Sequence, residues 1–281
     1  MGLVKEFIRY YKISFLGLVL ILLMGLVSIL APFVAPYSPT KLNVMDPLKK
    51  PSLAHPFGTD PYGRDVLSRL IFGARLSLQI GAMVVGASAI IGMSLGTTAG
   101  LTTLGWLENL IMRGVDILMA FPSIFLALIF VGILGPSKES IIVALTIVQI
   151  PRNARIAHGK VQEIAENTYI ESANAVGVST ARIIRYYILP NLLPPAIVQL
   201  TFIFAVVVMA ETSLSFLGAG PPPPAPSWGN VMSQARNYIR QAPWLVIFPG
   251  ITIFSFVMSI NLVGDALREI LDPKASASER L

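Results

Sequence analysis

The residues with the most to say are Glu171, Ser172, Ala173 and Gly177, with Leu189 and Pro190 beginning twelve residues after the glycine. They form a polar, helix-forming stretch between very apolar ones. Their types do no covalent chemistry; a segment of this kind docks against a soluble partner and passes force. Other chemistries lack their residues. There is no Gly-x-x-x-x-Gly-Lys-Ser/Thr, so the chain has no phosphate-cradling loop of its own. No paired carboxylates and no Ser-His-Asp set present themselves. His55 and His158 lie too far apart, and too poor in neighbouring ligands, for a metal site. With no cysteine, disulfides and thiolate metal sites are excluded.

Placed on a helix at about 100° per residue, Tyr169, Ile170, Ala173 and Val176 fall within about 120° of arc, and Glu171 points away. Gly177 can close that helix in the left-handed conformation. Ser179 or Thr180 can cap a second short helix, and Pro190 ends it or opens the next span. The expectation is helix, Gly turn, helix at a membrane face. An amphipathic helix resting on lipid is the alternative. The stripe is small and holds no Trp, Phe or Leu, which fits a narrow cleft in a protein better.

The elements that must position this elbow are membrane spans. Of 281 residues, 54% are hydrophobic and 13% charged; a soluble domain carries about twice that charged fraction. Charge is absent from Ile13–Ala35, Leu76–Leu107, Ile117–Ser137, Tyr186–Ala210 and Gln241–Gly264. About 20 apolar residues cross the hydrocarbon, and helices satisfy their own backbone there. The pattern predicts an all-α polytopic membrane protein with about six transmembrane helices. Span 1 covers about 13–35, span 2 about 76–101, and span 3 about 108–134 with a kink at Pro122. Span 4 runs from Glu139 past Pro151, with Arg152 and Arg155 snorkelling. A re-entrant segment, leaving five spans, is the alternative. Polar helices follow at about 162–187, then span 5 at 190–217 and span 6 at 244–265. The divisions are an N-terminus (1–12), a first span with an external loop (13–75), and a core (76–281) carrying the loop 160–188.

The net charge of +6 reads as the Lys/Arg excess that orients spans, with no call for nucleic acid. Six spans put both termini and the 160–188 loop inside, in agreement with a modest inner bias of Lys/Arg. The first apolar run is too long for a cleaved signal peptide and is read as a retained span. Gly81, Gly86, Gly92, Gly96 and Gly100 suit close helix contact. Glu211 lies within a span, where a carboxylate is costly. It can face a translocation path, pair with another subunit, or be hydrogen-bonded within the bundle. Met209, Phe216 and Phe256 can line a passage or pack. Arg113 with Asp116, and Asp265 with Arg268, have the spacing of local ion pairs. Pro221–Pro224 predicts a stiff polyproline segment.

The Glu171-Ser172-Ala173, Gly177 and Leu189-Pro190 pattern resembles the Glu-Ala-Ala loop of permease subunits of bacterial ATP-binding-cassette importers. It departs at Ser172 and Tyr187. His55-Pro56-Phe57-Gly58-Thr59-Asp60, Gly63-Arg64-Asp65 and Ser68-Arg69 look like the segment before span 2 in dipeptide, oligopeptide and nickel importers. Glu211–Gly218, Ser227-Trp228-Gly229, and Asp265–Arg268 with Leu271-Asp272-Pro273 extend the likeness over essentially the whole chain, to the C-type permease. The resemblance implies a type I importer fold, a plasma-membrane location and no cofactor on this chain. ATP would be used by two cytoplasmic ATPase subunits that take the loop into a cleft. A second homologous permease, an extracytoplasmic substrate-binding protein and lipid complete the implied partners. Di- or oligopeptides are the implied cargo, with nickel also possible. From the residues alone, the alternative is an ion-coupled secondary transporter, which would place ionisable sites near the midplane, often in inverted repeats. Glu211 is one such acid, and no repeat is evident.

Overall fold

The computed structural model describes residues 11–271; Lys5, Arg9, Asp272 and Pro273 lie outside them. The described residues form helices α1 (Lys12–Ile29), α2 (Ala31–Val34), α3 (Val66–Leu101), α4 (Gly105–Met119), α5 (Ser123–Leu134) and α6 (Lys138–Ala165). After these come α7 (Thr168–Ala175), α8 (Thr180–Ile183), a π-helical turn (Ile184–Ile188), α9 (Leu189–Phe216), α10 (Trp228–Gln234) and α11 (Trp244–Leu271). Four helical stretches are long and apolar enough to span a membrane, and the α4–α5 pair makes a fifth if counted as one. The 28-residue α6 is about 42 Å long, long enough to cross, but it is not apolar enough to count with them.

Three boundaries differ from expectation. First, α3 begins ten residues before the predicted start of span 2, so Arg69 and Arg75 are helical. The helix can carry Arg69 inward because Asp60 neutralises it at 3.0 Å. Second, the kink expected at Pro122 is a break: α4 and α5 meet at 92°, and Pro122 is extended at φ −59°, ψ 127° as the residue before α5. Third, α6 runs unbroken through Pro151 to Ala165, so the polar segment starts as an extension of this helix. Residues 221–226 form a turn with Ala225 N–H donating to Pro222 O at 3.3 Å, in place of an extended polyproline segment.

The bundle is held by close backbone contact. Gly92, Gly96 and Gly100 repeat every four residues along one face of α3, and a Cβ on each would strike α6: 2.6 Å from Asn153 Cβ, 2.1 Å from Ala154 O and 2.9 Å from Val161 Cγ1. In lipid, where apolar side chains gain little by leaving the solvent, such approach is the chief source of helix affinity. Gly81 packs against Phe204, whereas Gly86 faces open space. One core joins α3, α9, α10 and α11 around Trp228, Phe256 and Leu245. Phe256 sits 1% exposed, edge-on to Trp228 and Phe204, and packs in this core. A second core joins α3, α5, α6 and α9 through Ile80, Leu145 and Ile203.

Candidate functional site

At one end of the bundle, α6 turns through Glu166 and Asn167 into α7. The helix-turn-helix expectation holds. Gly177 has φ +78°, and the hydrogen bonds form a complete Schellman ending: Val178 N–H to Ala173 O at 3.0 Å and Gly177 N–H to Asn174 O at 3.0 Å. Ser179 occupies the cap position of α8 without a side-chain cap bond. Pro190 lies in the first turn of α9 (Leu189–Phe216) and so opens that span rather than ending α8. The chain continues from α8 into α9 through the π turn, where Leu189 N–H reaches Ile184 O. Pro190 has no N–H to give, and a turn shifted in register tolerates its absence.

The stripe divides. Ile170 is buried with Val161, Ile164, Ile183 and Ile188 and so fastens the elbow to the end of α6; Ala173 is buried as well, and neither is free for a partner. Tyr169, Glu171, Val176, Gly177, Leu189 and Pro190 are exposed. Val176, at 80% exposure, is a bare apolar side chain at the tip. The outward surface is therefore smaller and more polar than the whole stripe implies.

The α4 and α6 helices are tied by polar pairs that differ from the predicted ones. Asp116 bonds Arg155 on α6, not Arg113. Glu108 accepts from Gln162 at 3.2 Å and lies 2.9 Å from His158. Folding brings α6 alongside α4 and offers each acid a partner that i,i+3 spacing did not reveal. Asp265 and Arg268 form no ion pair among the described residues.

Glu211 is fully buried. Ser77 Oγ of α3 donates to its Oε2 at 2.7 Å and Ser215 Oγ to its Oε1 at 2.8 Å. Of the three roles open to it, this geometry makes a crosslink between α3 and α9. Met209 is half exposed on α9. Phe216 is partly buried under the Arg236 guanidinium, which lies 4.1 Å from its ring centre.

At the opposite end, the segment between α2 and α3 folds into a cage that sequence reasoning recognised only as a motif. Buried Asp60 accepts from Arg64 Nε at 2.6 Å, Arg69 NH1 at 3.0 Å and the backbone N–H groups of Tyr62 and Arg64 at 2.9 and 3.0 Å. The Arg64 NH2 group reaches Gln234 of α10 at 2.6 Å. Asp65 caps α3 through Ser68 N–H at 2.8 Å and holds His55 at 2.9 Å. Trp244 Nε1 donates to Thr59 O at 3.3 Å. The i,i+4 spacing of Asp60 and Arg64, and Asp65 three residues before Ser68, were the available signals.

A helical membrane bundle with a polar elbow at one end, a caged loop at the other and no metal-binding cluster among the described residues has the build of the transmembrane part of a transporter. Comparison with known proteins sharpens this class. Residues 72–277 match the binding-protein-dependent transport system inner membrane component, and residues 9–51 match the N-terminal transmembrane domain of oligopeptide transport permease C. The chain belongs to this family of inner-membrane permeases, and is a permease subunit of an ABC importer. It is 44% identical, over 92% of its length and 87% of the relative's, to a putative peptide transport system permease protein of Brucella suis. It is 43% identical, over 94% and 86%, to the dipeptide transport system permease protein DppC of Alkalihalophilus pseudofirmus. It is 38% identical, over 96% and 89%, to the glutathione transport system permease protein GsiD of Pectobacterium atrosepticum. The inward-facing MetNI methionine ABC transporter shares the fold, with TM-score 0.63 and 22% identity over 73% of this chain and 97% of that one.

Proposed function

We propose that this chain forms half of a peptide translocation path, beside a second homologous permease, with both termini in the cytoplasm. Di- or oligopeptides are the cargo class, supported by the relatives' names. An extracytoplasmic binding protein delivers them, and two cytoplasmic ATPase subunits hydrolyse ATP. The elbow of residues 163–188 docks in an ATPase cleft. One observation carries this reading: α7 is bolted to the end of α6 by Ile170 and continuous in chain with α6 and α9, while Tyr169, Glu171 and Val176 stay exposed. A lever needs both a rigid root and a free tip. Movement of the tip swings two long helices, and packed helices respond by rocking between discrete arrangements.

ATP-dependent peptide uptake into vesicles holding the full complex tests this. Glu171→Lys should lower uptake severalfold, and uptake equal to the parent's would remove Glu171 from the docking surface. Gly177→Val should cost about 1–2 kcal/mol in the left-handed turn. Because nothing lies within 4 Å of the added Cβ, the cost is conformational and local. The variant should insert normally yet retain less ATPase on co-purification; parental yield of ATPase would count against the docked elbow.

A further inference from the structure

A cleft of about 900 Å³ lies between α6, α9 and α11 beside the elbow. Its lining has two characters. Arg152 and Lys160 of α6 and Arg268 of α11 bring three cations, against one acid, Glu163. Lys160 is engaged by Glu163 at 2.6 Å. Arg152 is steadied by Gln199 of α9: with the amide oxygen turned to the guanidinium, Nε and NH2 donate at 2.8 and 3.3 Å. That leaves further Arg152 donors open to the cleft. The opposite wall is apolar and includes Val198 and Phe202, residues of a span. From Pro190 to Phe202 the cleft follows α9 for about 18 Å, from the polar elbow into the apolar bundle.

We propose that this cleft holds the phosphate headgroup of an anionic membrane lipid, with Arg152 and Arg268 on the phosphate and the acyl chains against Val198 and Phe202. Basic pockets between helices at the inner face are built for this headgroup chemistry. A small soluble anion would satisfy the cations and leave the apolar wall wet. Orientation of cations toward the inner side explains their number, but not their convergence from two helices on one concavity. Placing the cleft in the cytoplasmic leaflet rests on the orientation proposed above. A lipid here would stand between the elbow and α11, where elbow movement would be felt.

The test uses the full-length chain co-expressed with its partner subunits, in nanodiscs of phosphatidylcholine with or without phosphatidylglycerol, and native mass spectrometry to count retained lipid. The parent should retain phosphatidylglycerol and not phosphatidylcholine. Arg152→Gln and Arg268→Gln should each lower occupancy about fivefold, the effect of one cation near a membrane surface. Arg113→Gln, an equal charge change outside the cleft, should leave it unaltered. Equal retention by all variants, or equal loss in Arg113→Gln, would overturn the proposal, and displacement by inorganic phosphate would assign the cleft to a soluble anion instead. Arg268 sits exposed in the last turn of α11, so its variant should fold even if Arg152→Gln does not. Labelling of Glu171→Cys from outside intact cells would refute the orientation, independently of whether lipid is retained.

Discussion

Replacing Asp60 by alanine should lower the stability of the protein by about 3–5 kcal/mol, since removing one member of a buried ionic cluster leaves the others charged and unpaired. Arg64 and Arg69 are 4% and 1% exposed, and both spend donors on this one carboxylate. Two backbone N–H groups lose their acceptor as well. The damage should spread, because Arg64 also holds Gln234 of α10, while Arg69 lies at the end of the first turn of α3. Melting of the detergent-purified chain, followed by tryptophan fluorescence, should shift down by roughly 10 °C. Trp228 and Trp244 report locally, since they donate to Leu70 O and Thr59 O beside the cage. Asp60→Asn keeps the shape and part of the bonding and should fall between. A melting point unchanged in Asp60→Ala would mean that water, not Asp60, satisfies the two arginines.

Gly96→Ala should be nearly as harmful for a different reason. The added Cβ would lie 2.1 Å from Ala154 O and 2.9 Å from both Ala154 C and Ala157 Cβ. Two of these are backbone atoms, which cannot rotate aside. Overpacking a tight contact costs about 1–3 kcal/mol, and a backbone clash in a helix seam belongs at or beyond the upper end. The helices must separate, and Asn153 would lose its 3.2 Å bond to Ser88. Gly86→Ala is the control, because that position faces open space. Protease resistance and thermal stability should fall in Gly96→Ala and hold in Gly86→Ala. Equal behaviour would show that α3 and α6 do not meet along this seam.

The glycines of α3 were visible as a run suited to close packing. Which of them meet a neighbour depends on the helix's rotation, and five candidates reduce to one seam and one lesser contact only once α6 and α9 are in place. Pro122 was legible as a disruption of the helix. Its magnitude was not, because a proline in a span produces either a gentle kink or a 92° break, according to whether neighbours hold the two halves apart. The apolar stripe of α7 was found from its periodicity. Periodicity cannot say which apolar residues face their own bundle and which face a partner, and here Ile170 and Ala173 turn inward.

The class of the protein follows from its hydropathy. Long uncharged runs allow only membrane-spanning helices, because unbonded backbone groups have no other partner in hydrocarbon. The elbow with its left-handed glycine follows from equally local rules. The polar partnerships between distant segments were decided by the tertiary structure alone. Asp116 finds Arg155 across 39 residues, Glu211 finds Ser77 across 134, and Arg64 finds Gln234 across 170. Charges and hydroxyls act over a few ångströms, and only the packing of α3, α6, α9 and α10 brings residues so far apart in the chain within that reach.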